Sequence, residues 1–371
     1  MRKIELFRLN YGPEEAKAVK GVLDSKWISM GEKAQQLECE FSAFIGTKYA
    51  VALNSCTAAL HLALRILNIG IGDEVIVPSL TFVATANACL YVGATPVFAD
   101  VTSLDNWTIS VQDIRKKITS RTKAIIVMHY GGFGCNMGEI SGIAKKYKLK
   151  IIEDACHAPG GIREGKKLGS LGDISCFSFY SNKNLSTAEG GMLLSNNKEY
   201  CRRAQLLRSH GMTTAAHERN KGGEFYDVVE LGYNYRLDDI RAALGLAQLK
   251  KLPQDILSRN HAAARYRKCL LGVPGTSIPF DSYSGLSTYY IFPVLLVDRN
   301  RSRLKRVLEK RGIQTSIHYP PVHLFKHFRP FRVSLPYTEK ISENALSLPI
   351  YSNMAVDDVD YVCKNLKELV S

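Results

Sequence analysis

The sequence has no C-x-x-C pair, no stretch approaching 18 uninterrupted apolar residues, no internal repeat and no low-complexity tract. Each absence removes a class of protein. Nine cysteines, an odd count in mostly apolar company such as Cys89 and Cys176, read as reduced core thiols rather than disulfide staples or metal ligands, so no metal is expected. Without a long apolar run, no membrane-spanning helix is expected. The opening MRKIELFRLNYGPEE turns charged before a signal-peptide core could form, so the expected setting is the cytoplasm, away from any membrane. Nucleic-acid-binding motifs are missing too, although 49 Lys+Arg against 35 Asp+Glu give a net charge of +14. That surplus is spread along the chain apart from clusters such as Arg299 to Lys310, and it favours a phosphorylated small ligand over nucleic acid.

What is present is a regular alternation. At 371 residues the chain exceeds what one core fills, and two domains are expected: residues 1–248 and a smaller α+β unit over residues 249–371. Pro13 and two acids open a helix over residues 13–26, and a second is centred on Leu37 to Phe44. Tyr49 to Leu53 is a short apolar strand that runs into a helix start at NSCTAALHLALRIL. EVIVP, TPVFADV, KAIIVMHY, KLKIIEDA and SCFSFY are nearly continuous apolar strands, with helical segments near Thr81 to Tyr91, Val111 to Ile118 and Glu139 to Tyr147 between them. Strands buried on both faces predict α/β architecture: a mostly parallel sheet flanked by helices, with ligands at the carboxyl ends of its strands. After MLLSN come a basic helix, a polar and mobile loop from Gly211 to Gly223, and a helix from about Leu237. The remainder has strand signal at YYIFPVLLV and helices at Ser302 to Lys310 and Val356 to Leu369.

Three places carry chemistry. FSFYSNKNLSTAEGG, Phe177 to Gly191, holds Lys183 in a polar loop closed by paired glycines; a desolvated lysine forms Schiff bases, and Gly-Gly lets backbone pass close to a ligand. The same spacing also fits a surface loop with a salt-bridged lysine. Asp154, at the end of IIED, is either a turn aspartate or a carboxylate placed to keep a heteroaromatic nitrogen protonated, as pyridoxal phosphate requires. His157 could bond the same cofactor or cap the next loop. Asn54, Ser55 and Thr57 offer capping oxygens at a helix start whose free N–H groups make an anion site.

These residues stand in motifs spread over nearly the whole chain: GDEVIVPSLTFVATANA, GATPVFADV, TKAIIVMHYGG, EDACHA, FSFYSNKNLSTAEGG, GYNYRLDDIRAALG and HYPP. Seven motifs in one order resemble the pyridoxal-phosphate-dependent nucleotide-sugar aminotransferases, a family that includes the aminohydroxybenzoate synthases within the aspartate-aminotransferase (fold type I) superfamily. The resemblance implies that Lys183 bonds the cofactor and then shuttles a proton, that Asp154 pairs with the pyridine nitrogen and His157 with the phenolic oxygen, and that Phe82 stacks on the ring. Cys56 and Thr57 with their backbone amides, and Ser178, would bind the phosphate. Asn234 would reach that phosphate from the second subunit of a homodimer with shared active sites. Tyr180, His318 and Tyr319 would face the substrate. Two departures matter. Cys56 replaces the glycine of the family's S-G-T, and Tyr180 stands where His is frequent. Lysine at 183, where the dehydratase subgroup has His, favours amino transfer. The implied reaction moves an amino group from glutamate to a keto carbon, C4, of a nucleotide-linked deoxysugar. Its rivals are a keto-cyclitol aminotransferase or aminohydroxybenzoate synthase, and a non-catalytic cofactor-binding regulator.

Overall fold

The computed structural model describes residues 2–213, 226–297 and 299–370. The central sheet has seven strands: β1 (Tyr49–Leu53), β2 (Glu74–Pro78), β3 (Thr95–Ala99), β4 (Thr122–Met128), β5 (Lys150–Asp154), β6 (Ile174–Ser178) and β7 (Gly191–Ser195). Their spatial order is β1-β7-β6-β5-β4-β2-β3. Strand β7 is antiparallel to both of its neighbours, and the other pairings are parallel. The sheet is thus mostly parallel, as the near-continuous apolar runs predict.

Alternation along each strand assigns its side chains to two helical layers. Val51 and Leu53 of β1, Val75 and Val77 of β2 and Leu193 of β7 pack with the helices Cys56–Ile66 and Ala84–Tyr91 on one face. Their neighbours Ala50, Ala52, Met192 and Leu194 point the other way, into a core shared with Leu37 and Phe41 of helix Glu32–Ile45. Phe41 sits edge-on to Phe177 and Phe179, at ring centroid distances of 5.0 and 5.2 Å.

A second core belongs to the smaller sheet, Thr276–Ser277, Phe292–Leu296 and Ala345–Leu348, and to helix Val356–Val370. Ile4 joins this core although it lies at the other end of the sequence, bridging to Ile313 as a parallel pair. The helix expected from Leu237 begins at Asp239 and continues without a break to Leu270, 32 residues or about 48 Å. Its first half packs Ala242, Leu246 and Leu249 into the large sheet's core, and its second half packs Ala263, Tyr266 and Leu270 into the small one. A single rigid element therefore runs through residues 248 and 249 and couples the two cores. Of the polar loop from Gly211 to Gly223, residues 214–223 lie outside the described residues.

Behind the end of β5 the acid Glu153 is fully buried. It accepts hydrogen bonds from His129 Nε2 (2.8 Å) and from the backbone N–H groups of Gly169, Leu171 and Gly172 (2.8, 2.7 and 2.5 Å). Burial opposes its charge, but these donors outweigh burial and hold its pKa below the ordinary glutamate range. The carboxylate thereby ties β4, β5 and the 169–172 turn together directly behind Asp154.

Candidate active site

The parallel strands β1, β2, β5 and β6 end on the same side of the sheet, and a cavity of about 420 Å³ opens there. It brings together Cys56, Thr57, Phe82, Asp154, Ser178, Tyr180, Lys183, His318 and Tyr319, which are distant in sequence. A second hollow, about 330 Å³ beside Met30 and Arg208, lacks this chemistry: its arginines 202 and 208 are already paired with Glu199 and Glu38.

The lysine loop is held at both ends. Phe179 N–H donates to Gly190 O (2.9 Å), Thr187 N–H to Phe179 O (2.8 Å) and Lys183 N–H to Tyr180 O (2.9 Å). Asn184 anchors it to the small sheet's side by donating to Thr288 O (2.8 Å). The second glycine of the pair is required by contact: a Cβ on Gly191 would lie 2.3 Å from the carbonyl carbon of Ser55 and 2.5 Å from Cys56 N. The glycines so press β7 against the helix start.

That helix start is regular. Ser55 is in extended conformation and its Oγ accepts from Ala58 N (3.1 Å), which leaves the N–H groups of Cys56 and Thr57 without a partner among the described residues. Cysteine in place of glycine leaves the helix start intact, because position 56 has ordinary helical backbone. With the hydroxyls of Thr57 and Ser178 nearby, two free N–H groups at the positive end of an eleven-residue helix form a cradle for a phosphate.

Asp154 is buried, and its Oδ2 accepts from Thr85 Oγ1 (2.7 Å) while Oδ1 accepts from Cys156 N–H (3.3 Å). His157 does not cap the following loop. Its Nδ1 accepts from Gly131 N–H (3.2 Å), so the ring is neutral with its hydrogen on Nε2, which meets Tyr319 Oη at 2.9 Å. Burial, the Lys183 charge and His318 all press its pKa well below the ordinary value. His318 is held at about 3 by burial and by Lys183, and its Nδ1 bonds Ser347 Oγ (2.9 Å). Both imidazoles are therefore uncharged at neutral pH. Phe82, half exposed, faces Tyr319 with 5.9 Å between ring centroids.

Two of the expected residues do not line the cavity: His157, which lies behind Tyr290 and Tyr319, and Asn234. The Asn234 backbone accepts from Asn54 Nδ2 (3.3 Å) and pairs with Ser209 in an antiparallel bridge. Tyr233 and Tyr235 on either side of it stack at 4.9 Å and 10°. The lining also includes Asn182 and Glu189 of the lysine motif, Thr85 of the GDEVIVPSLTFVATANA motif, and Tyr290, which lies outside the seven motifs. Among the described residues around the cavity, Lys183 is the one Lys or Arg, so the chain's positive surplus lies elsewhere.

The site's chemistry agrees with what is known of similar proteins. The pattern of the DegT/DnrJ/EryC1/StrS aminotransferase family matches residues 10–367. The spore coat polysaccharide biosynthesis protein SpsC of Bacillus subtilis (strain 168) is 40% identical over 373 residues, covering 97% of this chain and 95% of that one. Helicobacter pylori PseC, an aminotransferase of pseudoaminic acid biosynthesis, superposes with a TM-score of 0.94 at 30% identity, covering 100% of this chain and 99% of that one. DesI, solved in the presence of its TDP-sugar product, gives a TM-score of 0.90 at 28% identity, over 100% of this chain and 93% of that one.

Proposed function

The chain belongs to the DegT/DnrJ/EryC1/StrS family of pyridoxal-phosphate-dependent sugar aminotransferases, and from that premise we propose that it moves an amino group from glutamate to the C4 keto carbon of a nucleotide-linked deoxysugar. The observation that carries this reading is the convergence, on one 420 Å³ cavity, of a partly buried lysine, a buried carboxylate and a helix start with free N–H groups. That set fits pyridoxal phosphate part by part: an amine for its aldehyde, an acid for its ring nitrogen, a cradle for its phosphate.

When bound, the cofactor supplies an aldehyde that carries the amino group and a ring that withdraws electrons from the reacting carbon. The protein's part is placement and proton transfer. Asp154, fixed by Thr85, would keep the ring nitrogen protonated. The N–H groups of Cys56 and Thr57 and the hydroxyls of Thr57 and Ser178 would hold the phosphate, and Phe82 would cover one ring face. His157, neutral and held by Gly131, would turn its Nε2–H from Tyr319 to the phenolic oxygen. Lys183 Nζ would take the proton from the donor's α-carbon and give it back two atoms along, the same amine acting as base and then as acid. Tyr180, His318 and Tyr319 line the approach of the sugar. Glutamate leaves as 2-oxoglutarate before the ketosugar is aminated. Incubating the pyridoxamine form with UDP-, dTDP- and GDP-linked 4-ketosugars should give a 4-amino product by mass spectrometry and NMR. Amination of a keto-cyclitol alone would overturn the substrate assignment.

Asn234 completes the cradle, in this reading, from a second copy of the chain. The segment that carries it exposes Val228, Val229 and Leu231, the last at 76%, and Phe82, Tyr91 and Tyr180 are exposed as well. Apolar surface of this extent fits a subunit interface. Co-expressing Lys183→Ala with Asn234→Asp tests it. About half of randomly paired dimers are mixed, and each mixed dimer has one site with both residues intact. Roughly a quarter of wild-type activity should return. Activity no higher than that of the separate variants, with mixed dimers verified by differential tags, would exclude the shared site.

A further inference from the structure

The Lys183 amine has a neighbour that serves neither the phosphate cradle nor the ring nitrogen. Tyr290, two residues before strand Phe292–Leu296, reaches the cavity from the small sheet's side and is 6% exposed. Its backbone N–H donates to Gly131 O (3.1 Å), which fixes it against the same turn that holds His157. Lys183 Nζ lies over its ring, 4.0 Å from the centroid. The ring also stacks on His157 at 4.0 Å and 26°, and His318 meets it edge-on at 5.9 Å.

The remaining groups around the amine leave it short of partners. Asp154 and Cys156 face it from the end of β5 and Cys56 from the helix start, while His157 and His318 are neutral. Glu189 and Tyr319 line the same cavity. No described carboxylate forms an ion pair with Lys183 within 4.0 Å. A partly buried ammonium without a close counter-ion needs another source of negative potential, and the face of an aromatic ring is one. Burial works against the charge on Lys183, yet the Tyr290 hydroxyl, Cys156 and Asp154 together outweigh it and raise its pKa, and the ring face under Nζ adds to them.

We propose that the Tyr290 ring is the resting seat of the free Lys183 ammonium, holding the amine in place whenever it is not bonded to cofactor. The proposal rests on Lys183 being the cofactor's lysine. During transfer, the ring favours Lys183 Nζ once it has taken a proton, without donating or accepting one itself. Tyr290 is thereby given a role in the reaction through its ring, beside the part its hydroxyl plays.

The test reads the amine directly, in the full-length chain stripped of cofactor, by acetic anhydride labelling of Lys183 across pH with peptide mass spectrometry. Tyr290→Leu should lower the apparent pKa of Lys183 by about one unit and speed labelling at neutral pH about tenfold. Tyr290→Phe, which keeps the face and loses only the hydroxyl, should fall by less than half as much. Tyr290→Met, a flexible apolar filler, replaces the leucine variant if that chain fails to fold. An unchanged pKa in the leucine or methionine variant would overturn the proposal. So would a phenylalanine variant that falls as far, since the hydroxyl would then be the partner. Neither outcome depends on which sugar is aminated, and Lys183 that fails to bond pyridoxal phosphate at all would instead remove the premise.

Discussion

Asp154→Asn is expected to fold, to bind pyridoxal phosphate and to lose between about a hundredfold and a few thousandfold in kcat. Asparagine is nearly the same size, and its amide oxygen can still accept the Thr85 hydroxyl that now lies 2.7 Å from Oδ2. A neutral amide, however, cannot hold a ring nitrogen protonated. Losing one partner of a buried charged pair costs roughly 3–5 kcal/mol, and each 1.4 kcal/mol is a factor of ten in rate. Steady-state kinetics with a ketosugar substrate checks the size of the effect, and the thermal midpoint checks that it is not unfolding. Because Glu153, the preceding residue, carries the buried bonds that secure the strand end, the two acids should be separable, Glu153 variants losing stability and Asp154 variants losing turnover. A variant with wild-type kcat would mean that Asp154 is only a turn residue anchored by Thr85 and Cys156.

The sheet was legible because its strands are buried on both faces, and a run such as EVIVP or KIIED has few other ways to fold in a chain of this composition. The strand ends were less legible: KLKIIEDA overran Asp154 by one residue and SCFSFY overran Ser178 by two. The choice of Lys183 as candidate rests on its motif, FSFYSNKNLSTAEGG, more than on its spacing. The structure adds the reason that spacing works: Gly191 must lie against Ser55 and Cys56 for the loop to close on the helix start. Tyr290 was not legible. YYIFPVLLV reports only that a strand is near, and which tyrosine meets Lys183 is decided by how the small sheet docks. Thr85 stands inside the motif GDEVIVPSLTFVATANA, but its pairing with Asp154 was hidden, because nothing in the sequence joins it to an acid in a different motif. The continuous helix from Asp239 to Leu270 hid the seam between cores in another way, since helical periodicity does not record that its two halves are buried by different sheets. Net charge was the least informative signal: +14 belongs to the chain, whereas the described cavity lining contains one lysine and no arginine.

The second large effect concerns Lys183 itself. It is the one amine that lines the cavity among the described residues, and Lys183→Ala should abolish amino transfer while leaving the phosphate cradle able to bind the cofactor non-covalently. The most direct measurement is covalent. Holoenzyme treated with borohydride in the absence of amino donor should carry a pyridoxyl group on Lys183, found by peptide mass spectrometry at close to one per chain. Label on another lysine, or an unlabelled Lys183 in protein that has bound its cofactor, would contradict the account.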